Sequence, residues 1–255
     1  MWYAGRMAGV QSVERAFGIL RALSLGPAGV TDLSDRTGLP KSTVSRLLSA
    51  LEEQKAVDQN TEGAYELGVG IAELGTALRG GQSVVEVARP HMVELMELTG
   101  EAVGLNRLDG DQVRTLLQVD DPSSSVVVRD WTGVPTPAHA VPAGLAILAN
   151  SSRAAQRNFL QNEFDELTEN TMTDPAMLLL RFEQIRTDGF AWVIEEFTED
   201  ISSVAAAFAD ANGRIQFAIH IHGPSFRFPG DVDREELGNR VAATAQRIEA
   251  QLNPD

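Results

Sequence analysis

The chain of 255 residues contains no cysteine, and this absence excludes several kinds of site together. Disulfide scaffolds, thiolate zinc sites, iron–sulfur clusters and cysteine nucleophiles all require thiol side chains. The sequence also lacks an apolar run of the roughly 18 residues that cross a membrane, and its first residues lack the apolar core of a signal peptide. We therefore expect a cytoplasmic protein with no membrane segment.

Positive charge is scarce, with 21 Lys and Arg against 36 Asp and Glu and a net charge of −15. Such a balance argues against nucleic acid as a partner. The deficit is uneven, however, because residues 1–80 hold 8 basic against 9 acidic side chains, and the remainder holds 13 against 27. Residues 36–55 alone carry four basic and two acidic side chains. A local basic stripe on an acidic chain is typical of a DNA-binding domain joined to an acidic domain.

Three helices and two short strands are predicted in the first 68 residues. Apolar residues at helical spacing predict a first helix over 12–24 with Ser12 as its N-cap, a short second helix capped by Thr31, and a third helix after Pro40. Two extended runs then complete the order of a winged helix-turn-helix, 56–59 and 64–67. The apolar stripes of the first and third helices are Val13, Ala16, Phe17, Leu20, Leu23, Val44, Leu47, Leu48 and Leu51.

The first turns of the third helix are polar. A helix at this place enters the major groove, where basic side chains meet phosphates and short hydroxyl side chains bond to phosphates or base edges. In the alternative interpretation, Ser42 and Thr43 only cap the helix and Arg46 is a solvated surface charge. The predicted DNA-binding residues are Lys41, Ser42, Thr43, Ser45, Arg46 and Thr31.

The remaining sequence predicts a linker helix over 69–80 and a second domain over 81–255. Gly70 and Gly75 interrupt the linker pattern, either as close-packing points between protomers or as weak spots that let the domains reorient. The second domain is predicted to be α+β, with a mainly antiparallel sheet flanked by helices. Its predicted elements are a helix over 83–99 broken or kinked at Pro90, strands over 101–108, 112–119, 125–129, 190–195, 201–209 and 214–222, and helices over 142–150, 151–162, 174–188 and 232–252.

Two features of the second domain indicate a site for a small molecule. Pro142, Ala143 and Gly144 open a helix with little side-chain bulk, and free backbone N–H groups at such a terminus suit an anion such as a carboxylate. His220 and His222 alternate around Ile221, so both imidazoles point to one face of the strand. These histidines offer hydrogen bonds and, when protonated, positive charge; alternatively, they are satisfied residues of the sheet.

Other side chains complete the candidate site. Trp131 and Leu116 are candidates for an apolar wall. A metal pair of His220 and His222 with His139 as third ligand is an alternative, but no carboxylate has the spacing to support it.

Several segments together resemble the IclR family of bacterial transcriptional regulators, over about residues 10–250. The segments are QSVERAFGILRAL, TDLSDRTGLPKSTVSRLLSALEEQKAV, YELG, TGEAVGLNRLDGDQV, PAHAVPAGLAILA and IRTDGFAWVIEEFTEDISSVAAAFADANGRIQFAIHIHGP. The resemblance implies a winged helix-turn-helix, a linker helix that takes part in dimer formation, and a C-terminal effector-binding domain.

The resemblance also assigns pocket positions. It implies that the loop before the small-residue helix, with His139, Ala143 and Gly144, lines the effector pocket, as does Ser203. His220 and His222 stand where the family usually has small polar residues, and Val193 where an acidic or polar residue is frequent. These departures remove a negative charge and add imidazoles, which favours an anionic effector, either aromatic or aliphatic.

The sequence therefore predicts a ligand-responsive, sequence-specific DNA-binding regulator, a repressor whose second domain binds a small organic carboxylate. We expect a homodimer or a dimer of dimers on a palindromic double-stranded DNA operator. No cofactor, metal or catalytic residue is expected, because no GxSxG, HExxH or phosphate-cradling glycine loop is present. The alternatives are a hydrolase that uses the sensor-like domain, or an oligomerisation adaptor with a degenerate DNA module.

Overall fold

The computed structural model describes residues 10–76, 83–124 and 129–253. The chain divides into two compact units, residues 1–80 and residues 81–255. Among the described residues, no helix is both long and apolar enough to cross a membrane.

The first unit is a three-helix core followed by a two-stranded antiparallel sheet. Gly38 takes a left-handed conformation (φ 68°) at the end of the second helix and turns the chain toward the third. The side chains of Ile19, Leu33, Val44, Leu48 and Val57 are fully buried at its centre. The elements are α1 (Gln11–Leu23), α2 (Val30–Thr37), α3 (Lys41–Glu53), β1 (Val57–Gln59), β2 (Tyr65–Leu67) and α4 (Val69–Thr76).

The structure corrects the predicted face of α1. Val13 and Phe17 are 51% and 57% exposed, whereas Ile19 is fully buried. Apolar residues cover more than one side of this helix, so spacing alone does not decide which side α2 and α3 cover. The predicted caps are also wrong. Helix α1 begins at Gln11, before Ser12, and α2 begins at Val30, so Thr31 lies inside its first turn.

Gly70 has a packing role within the first unit. A Cβ at this position would lie 2.7 Å from the carbonyl oxygen of Lys55, so only glycine lets α4 approach the turn after α3. This close approach is to backbone of the same unit. Residues 77–80 of the predicted linker lie outside the described residues.

The second unit is built on one six-stranded antiparallel sheet in the order β5-β4-β3-β8-β7-β6. This sheet with helices on both faces confirms the predicted α+β fold. The strands are β3 (Ala102–Asp109), β4 (Gln112–Val119), β5 (Pro135–Pro137), β6 (Ala191–Ile194), β7 (Ile201–Ala209) and β8 (Ile215–Pro224), and the helices are α5 (Val84–Thr99), α6 (Pro142–Ala149), α7 (Arg153–Phe159), α8 (Pro175–Asp188) and α9 (Arg234–Leu252).

Each face of this sheet has its own hydrophobic core. Residues of α5 and α9 pack with Leu105, Ile219 and Ile221 on one face. Residues of α6 and α8 pack with Ala205 and Ala218 on the other. Because side chains alternate along a strand, the even-numbered residues of β8 face α6.

Two predictions about the second unit need correction. Helix α5 continues through Pro90 instead of breaking. Pro90 is exposed, so water can satisfy the carbonyl it frees, while the neighbouring residues Ala88 and Met92 are fully buried and hold the helix in place. Most of the predicted strand 125–129, residues 125–128, lies outside the described residues, and Arg129 is not in a strand. The strand that pairs with the outer side of β4 is β5.

Candidate functional site

The polar surface of α3 lies on the side of the helix opposite its core contacts. Val44 and Leu48 are fully buried against α1 and α2. Thr43 is half-buried, and Thr31 is exposed at the start of α2. The exposed side chains of the first turns of α3 are Lys41, Ser42, Ser45 and Arg46.

Hydrogen bonds fix the helix-turn-helix geometry behind this surface. The Ser34 hydroxyl donates to the Leu39 carbonyl at 2.6 Å, across the turn between α2 and α3. The Arg36 guanidinium donates to the Ala22 carbonyl at 3.1 Å and ties α2 to α1. Arg36, which belongs to the basic stripe 36–55, therefore stabilises the packing of α2 on α1. Lys41 and Arg46 are the exposed cations of α3.

A cavity of about 60 Å³ lies in the second unit between the sheet and the N-terminus of α6. This volume exceeds the roughly 10–15 Å³ that a cavity needs to hold one water molecule. Its wall is apolar with a few polar groups, the usual character of a small-molecule site. The lining residues are Asn106, Val113, Thr115, Trp131, Thr136, Val141, Pro142, Ala143, Val193, Phe197, Thr198, Ile201, Ser203, His220 and His222.

Helix α6 points its N-terminus at this cavity. Val141 is the N-cap residue and makes no side-chain capping bond, and Pro142 occupies the first turn. The first N–H groups of a helix lack partners within the helix, and the helix dipole makes its N-terminus positive. This end of the cavity therefore favours an anionic group.

A line of polar side chains crosses the sheet beneath the cavity. The Thr115 hydroxyl donates to Oδ1 of Asn106 at 3.0 Å. Nδ2 of Asn106 lies 2.5 Å from Nδ1 of His220, and Nε2 of His220 lies 2.9 Å from Nδ1 of His222. The two imidazoles stack with ring centroids 4.9 Å apart. Nε2 of His222 is buried and has no hydrogen-bond partner among the described residues.

Both histidines of the cavity are neutral near pH 7. Burial lowers the pKa of His222 to about 4. Burial, with a smaller contribution from neighbouring His222, lowers the pKa of His220 well below its usual value. The positive charge that these positions would supply when protonated is therefore not available near pH 7. The imidazoles offer hydrogen bonds instead.

Gly104 makes room for the His220 ring. The two residues face each other across β3 and β8. A Cβ on Gly104 would lie 2.2 Å from Cε1 of His220, closer than real Cβ atoms approach a neighbour. The lack of a side chain at residue 104 is therefore a condition for the position of the imidazole.

An aromatic pair forms another wall of the cavity, and a buried ion pair holds the segment beside it. Trp131 meets Phe197 edge to face, with ring centroids 5.2 Å apart. Next to Phe197, the Glu196 carboxylate accepts two 2.7 Å bonds from the Arg181 guanidinium. The Thr171 hydroxyl donates to the Glu196 carbonyl at 2.6 Å. These bonds fix the segment that carries Phe197.

Six of the predicted effector residues line the cavity, namely Trp131, Ala143, Val193, Ser203, His220 and His222. Leu116 does not, because it packs in the core on the α5 and α9 side of the sheet. Gly144 lies against the backbone of Ala138 instead. His139 also lies outside the lining, where Nε2 is 2.9 Å from the Asp165 carbonyl and the ring packs on Phe164.

Several lining residues were missed by the sequence analysis. Asn106 and Thr115 face the cavity because of the strand register that pairs them, which includes a bulge between Leu105 and Asn106. Phe197 and Thr198 follow the end of β6 in an irregular segment. The period of the strands predicts the alternation of faces but not bulges or loop geometry. The metal alternative finds no support, since no group of three potential ligands occurs among the described residues.

A second, wider groove of about 470 Å³ lies between the C-terminal end of α5 and the N-terminal end of α9. Its basic side chains are already paired. Arg227 lies 2.8 Å from Glu101 through both Nε and Nη2, and Arg240 lies 2.6 Å from Glu236. The cavity at α6 is smaller but presents an unpartnered donor and an uncapped helix terminus.

Comparison with known proteins shows similarity over almost the whole chain. Residues 12–61 match the IclR helix-turn-helix domain, and residues 77–250 match the C-terminal domain of bacterial transcriptional regulators of the IclR type. The HTH-type transcriptional regulator Rv1719 of Mycobacterium tuberculosis is 34% identical over 97% of this chain and 95% of its own length. The HTH-type transcriptional repressor AllR of Escherichia coli K12 is 33% identical over 96% of this chain and 91% of its own length.

A solved structure shares the fold. An IclR homolog of Microbacterium hydrocarbonoxydans, crystallised with 4-hydroxybenzoate, superposes with a TM-score of 0.75 at 21% identity. The alignment covers 94% of this chain and 98% of that one.

Fold and comparisons define a DNA-binding transcriptional regulator with a helix-turn-helix domain and a separate C-terminal domain. The chain belongs to the IclR family, and its family and relatives are regulators of transcription, not enzymes. The resemblance drawn from the sequence motifs is thereby confirmed.

Proposed function

We propose that this protein is a repressor whose affinity for its operator changes when a small organic carboxylate binds in the cavity at α6. Residues 1–68 form the DNA-binding domain, residues 69–80 the linker, and residues 81–255 the domain that binds the effector and assembles the oligomer. The similarity to a repressor along nearly the whole chain supports the direction of regulation.

The chemistry of the cavity indicates which class of effector it would bind. The uncapped N-terminus of α6 and the His222 ring, whose Nε2 is buried without a partner among the described residues, line the same small space. Among the described residues, the lining contains no Asp, Glu, Lys or Arg side chain, and its two histidines are neutral near pH 7. An anion in this site would be held by backbone N–H groups and neutral donors, which is the arrangement that suits a carboxylate.

The size of the cavity limits the effector. A space of about 60 Å³ suits a small acid better than a bulky one. The similar structure from Microbacterium hydrocarbonoxydans contains 4-hydroxybenzoate, a larger aromatic carboxylate. We therefore favour a short aliphatic acid over an aromatic one.

DNA recognition is assigned to the exposed first turns of α3. Lys41 and Arg46 supply charge for phosphates and base edges, and the Ser42, Thr43 and Ser45 hydroxyls supply short hydrogen bonds. Thr31 lies at the exposed N-terminal end of α2, where a helix meets the DNA backbone. Two copies bound to a palindromic operator would present two such helices, one helical repeat of DNA apart.

A screen that combines ligand binding with operator binding tests the proposal. Purified protein is heated with short aliphatic acids and with 4-hydroxybenzoate, and operator DNA is selected from a random pool. A true effector at 100-fold excess over its Kd should raise Tm by roughly 5–10 °C and change the operator affinity. A ligand that stabilises the protein but leaves DNA binding unchanged, or that is consumed, would contradict the assignment.

A matched pair of variants locates the effector. Ala143→Leu fills the cavity, because residue 143 is buried in its wall. It should abolish the ligand-induced rise in Tm while operator affinity is retained. Ala176→Leu makes the same change at an exposed position of α8 and should respond like the wild type.

A further inference from the structure

The orientation of the Asn106 amide is fixed by its surroundings. Nδ2 lies 3.2 Å from the Gly104 carbonyl and 3.4 Å from the Ala218 carbonyl, and both of these groups only accept hydrogen bonds. Oδ1 receives the hydrogen bond of the Thr115 hydroxyl. A reversed amide would place its oxygen against two carbonyl oxygens, so the group that faces His220 is the NH₂ group.

This orientation decides where the protons lie on both histidines. Asn106 donates to Nδ1 of His220, so Nδ1 carries no proton and the neutral ring is protonated at Nε2. That Nε2–H donates to Nδ1 of His222, so His222 also carries its proton on Nε2. A neutral imidazole has only one N–H group, and this one is buried in the cavity wall with no partner among the described residues.

We propose that Asn106 and His220 are positioning residues that hold Nε2 of His222 as a hydrogen-bond donor, and that this donor determines specificity by selecting an acceptor oxygen of the effector. The inference rests on the proposed function, since it takes the cavity to be the effector site. It names His222 as the ligand-contacting residue and a carboxylate or keto oxygen as the group it recognises. Amines, which offer only N–H groups when protonated, are rejected because two donors would face each other.

The direction of this hydrogen-bond chain depends on Asn106 because His220 has a second local partner. The Gly104 carbonyl favours a protonated His220 ring, so it is an acceptor that a ring N–H could use. Without the Asn106 amide, Nδ1 of His220 would take the proton and donate to that carbonyl. Nε2 of His220 would then accept from Nδ1–H of His222, and Nε2 of His222 would become an acceptor. The variant Asn106→Leu, similar in shape, removes the amide and should reverse both rings.

The proton positions can be measured without any ligand. The chain has four histidines, and nitrogen NMR of ¹⁵N-histidine-labelled protein distinguishes rings protonated at Nδ1 from rings protonated at Nε2. Single His→Gln variants assign the signals. At pH 7 both His220 and His222 should be protonated at Nε2 in the wild type and at Nδ1 in Asn106→Leu. Thr115→Val is the control, because the two carbonyls still fix the amide, and it should keep the wild-type pattern.

Binding of pyruvate, a small keto acid, and of propylamine, a small amine, gives the second measurement. The wild type should bind pyruvate and not propylamine. Asn106→Leu should bind pyruvate roughly 10-fold to 100-fold more weakly, the range expected for loss of a hydrogen bond to a charged group. Asn158→Leu, the same change at an exposed position of α7 outside the cavity lining, should stay near the wild-type value.

The outcomes separate this inference from the proposed function. If wild-type His222 is protonated at Nδ1, the inference is wrong even when acids bind and change operator affinity. If the rings have the expected protons but neither pyruvate nor any other short acid binds, both the selective role of His222 and the proposed effector class are wrong. If Asn106→Leu does not fold, the wild-type spectrum and the comparison of pyruvate with propylamine still decide the matter.

Discussion

His222 is a buried base whose burial has a cost that depends on pH. Its pKa falls from about 6.5 when unfolded to about 4 in the folded protein because burial disfavours the charged ring. Between these values the unfolded chain binds more protons than the folded one, so stability is complete above pH 6.5 and falls as the pH drops toward 4. The second unit should therefore lose folding stability in mild acid.

The variant His222→Gln should remove this sensitivity. Between pH 7.5 and pH 5, the wild type should lose about 2 kcal/mol of unfolding free energy more than the variant, from a shift of this size at one site. Urea unfolding at both pH values measures the difference. Equal losses in the two proteins would show that His222 titrates normally when folded. His220 remains in both proteins, so its contribution largely cancels in the comparison.

The fit between Gly104 and His220 leads to a second prediction at this scale. Gly104→Ala should cost about 1–3 kcal/mol, the usual range for overpacking, because the new Cβ overlaps the imidazole. The ring would leave Asn106 and His222, so effector affinity should fall as well. In a His220→Ala background, Gly104→Ala should cost little stability, because the ring that the new Cβ overlaps is absent.

An open glycine provides the control for that experiment. Gly18 lies within α1, and a Cβ there would meet nothing within 4 Å. Gly18→Ala should be neutral or stabilising by about 0.5–1 kcal/mol, because alanine favours the helix. A similar loss of stability in both variants would mean that the contact with His220 is not the cause.

At the scale of elements, sequence periodicity predicted the order and type of most helices and strands, but it missed β5. Periodicity failed where two faces of one helix carry apolar residues at helical spacing. On α1 the buried face contains Ile19 and not Val13 or Phe17. Periodicity also placed Leu116 on the wrong face of its strand, since the bulge beside Asn106 and the packing of α5 decide that face. Local pattern does not contain the tertiary contacts that settle such choices.

The polar surface of α3 gives the prediction for DNA binding. Arg46→Ala should weaken operator binding and, if the side chain contacts phosphate, reduce the slope of log affinity against log salt by about 1. Effector-induced stabilisation should remain unchanged. Fluorescence anisotropy with labelled operator at several salt concentrations measures both quantities.

A charge-matched control separates contact from general electrostatics. Arg153 is half-exposed in the other unit and pairs with Glu183. Arg153→Ala makes the same change in net charge and should leave the salt slope unaltered. If both variants weaken binding equally, Arg46 acts only through the overall charge of the protein.

At the scale of the whole molecule, the proposed function requires that two sites in different units influence each other. The two compact units have separate hydrophobic cores. A coupling between them is a free energy shared by both ligands, so it must act equally in both directions. Whatever factor the effector imposes on operator affinity, the operator must impose on effector affinity.

Titrating the operator with and without saturating acid, and the acid with and without saturating operator, gives the two factors. Both should lie in the range of about 5-fold to 150-fold that is typical of allosteric proteins, and they should agree within error. Ala143→Leu should bind the operator normally and show no response to the acid. If this variant still responds, the acid acts elsewhere, and the groove that contains Arg227 becomes the site to examine because it is the larger concavity of the same unit.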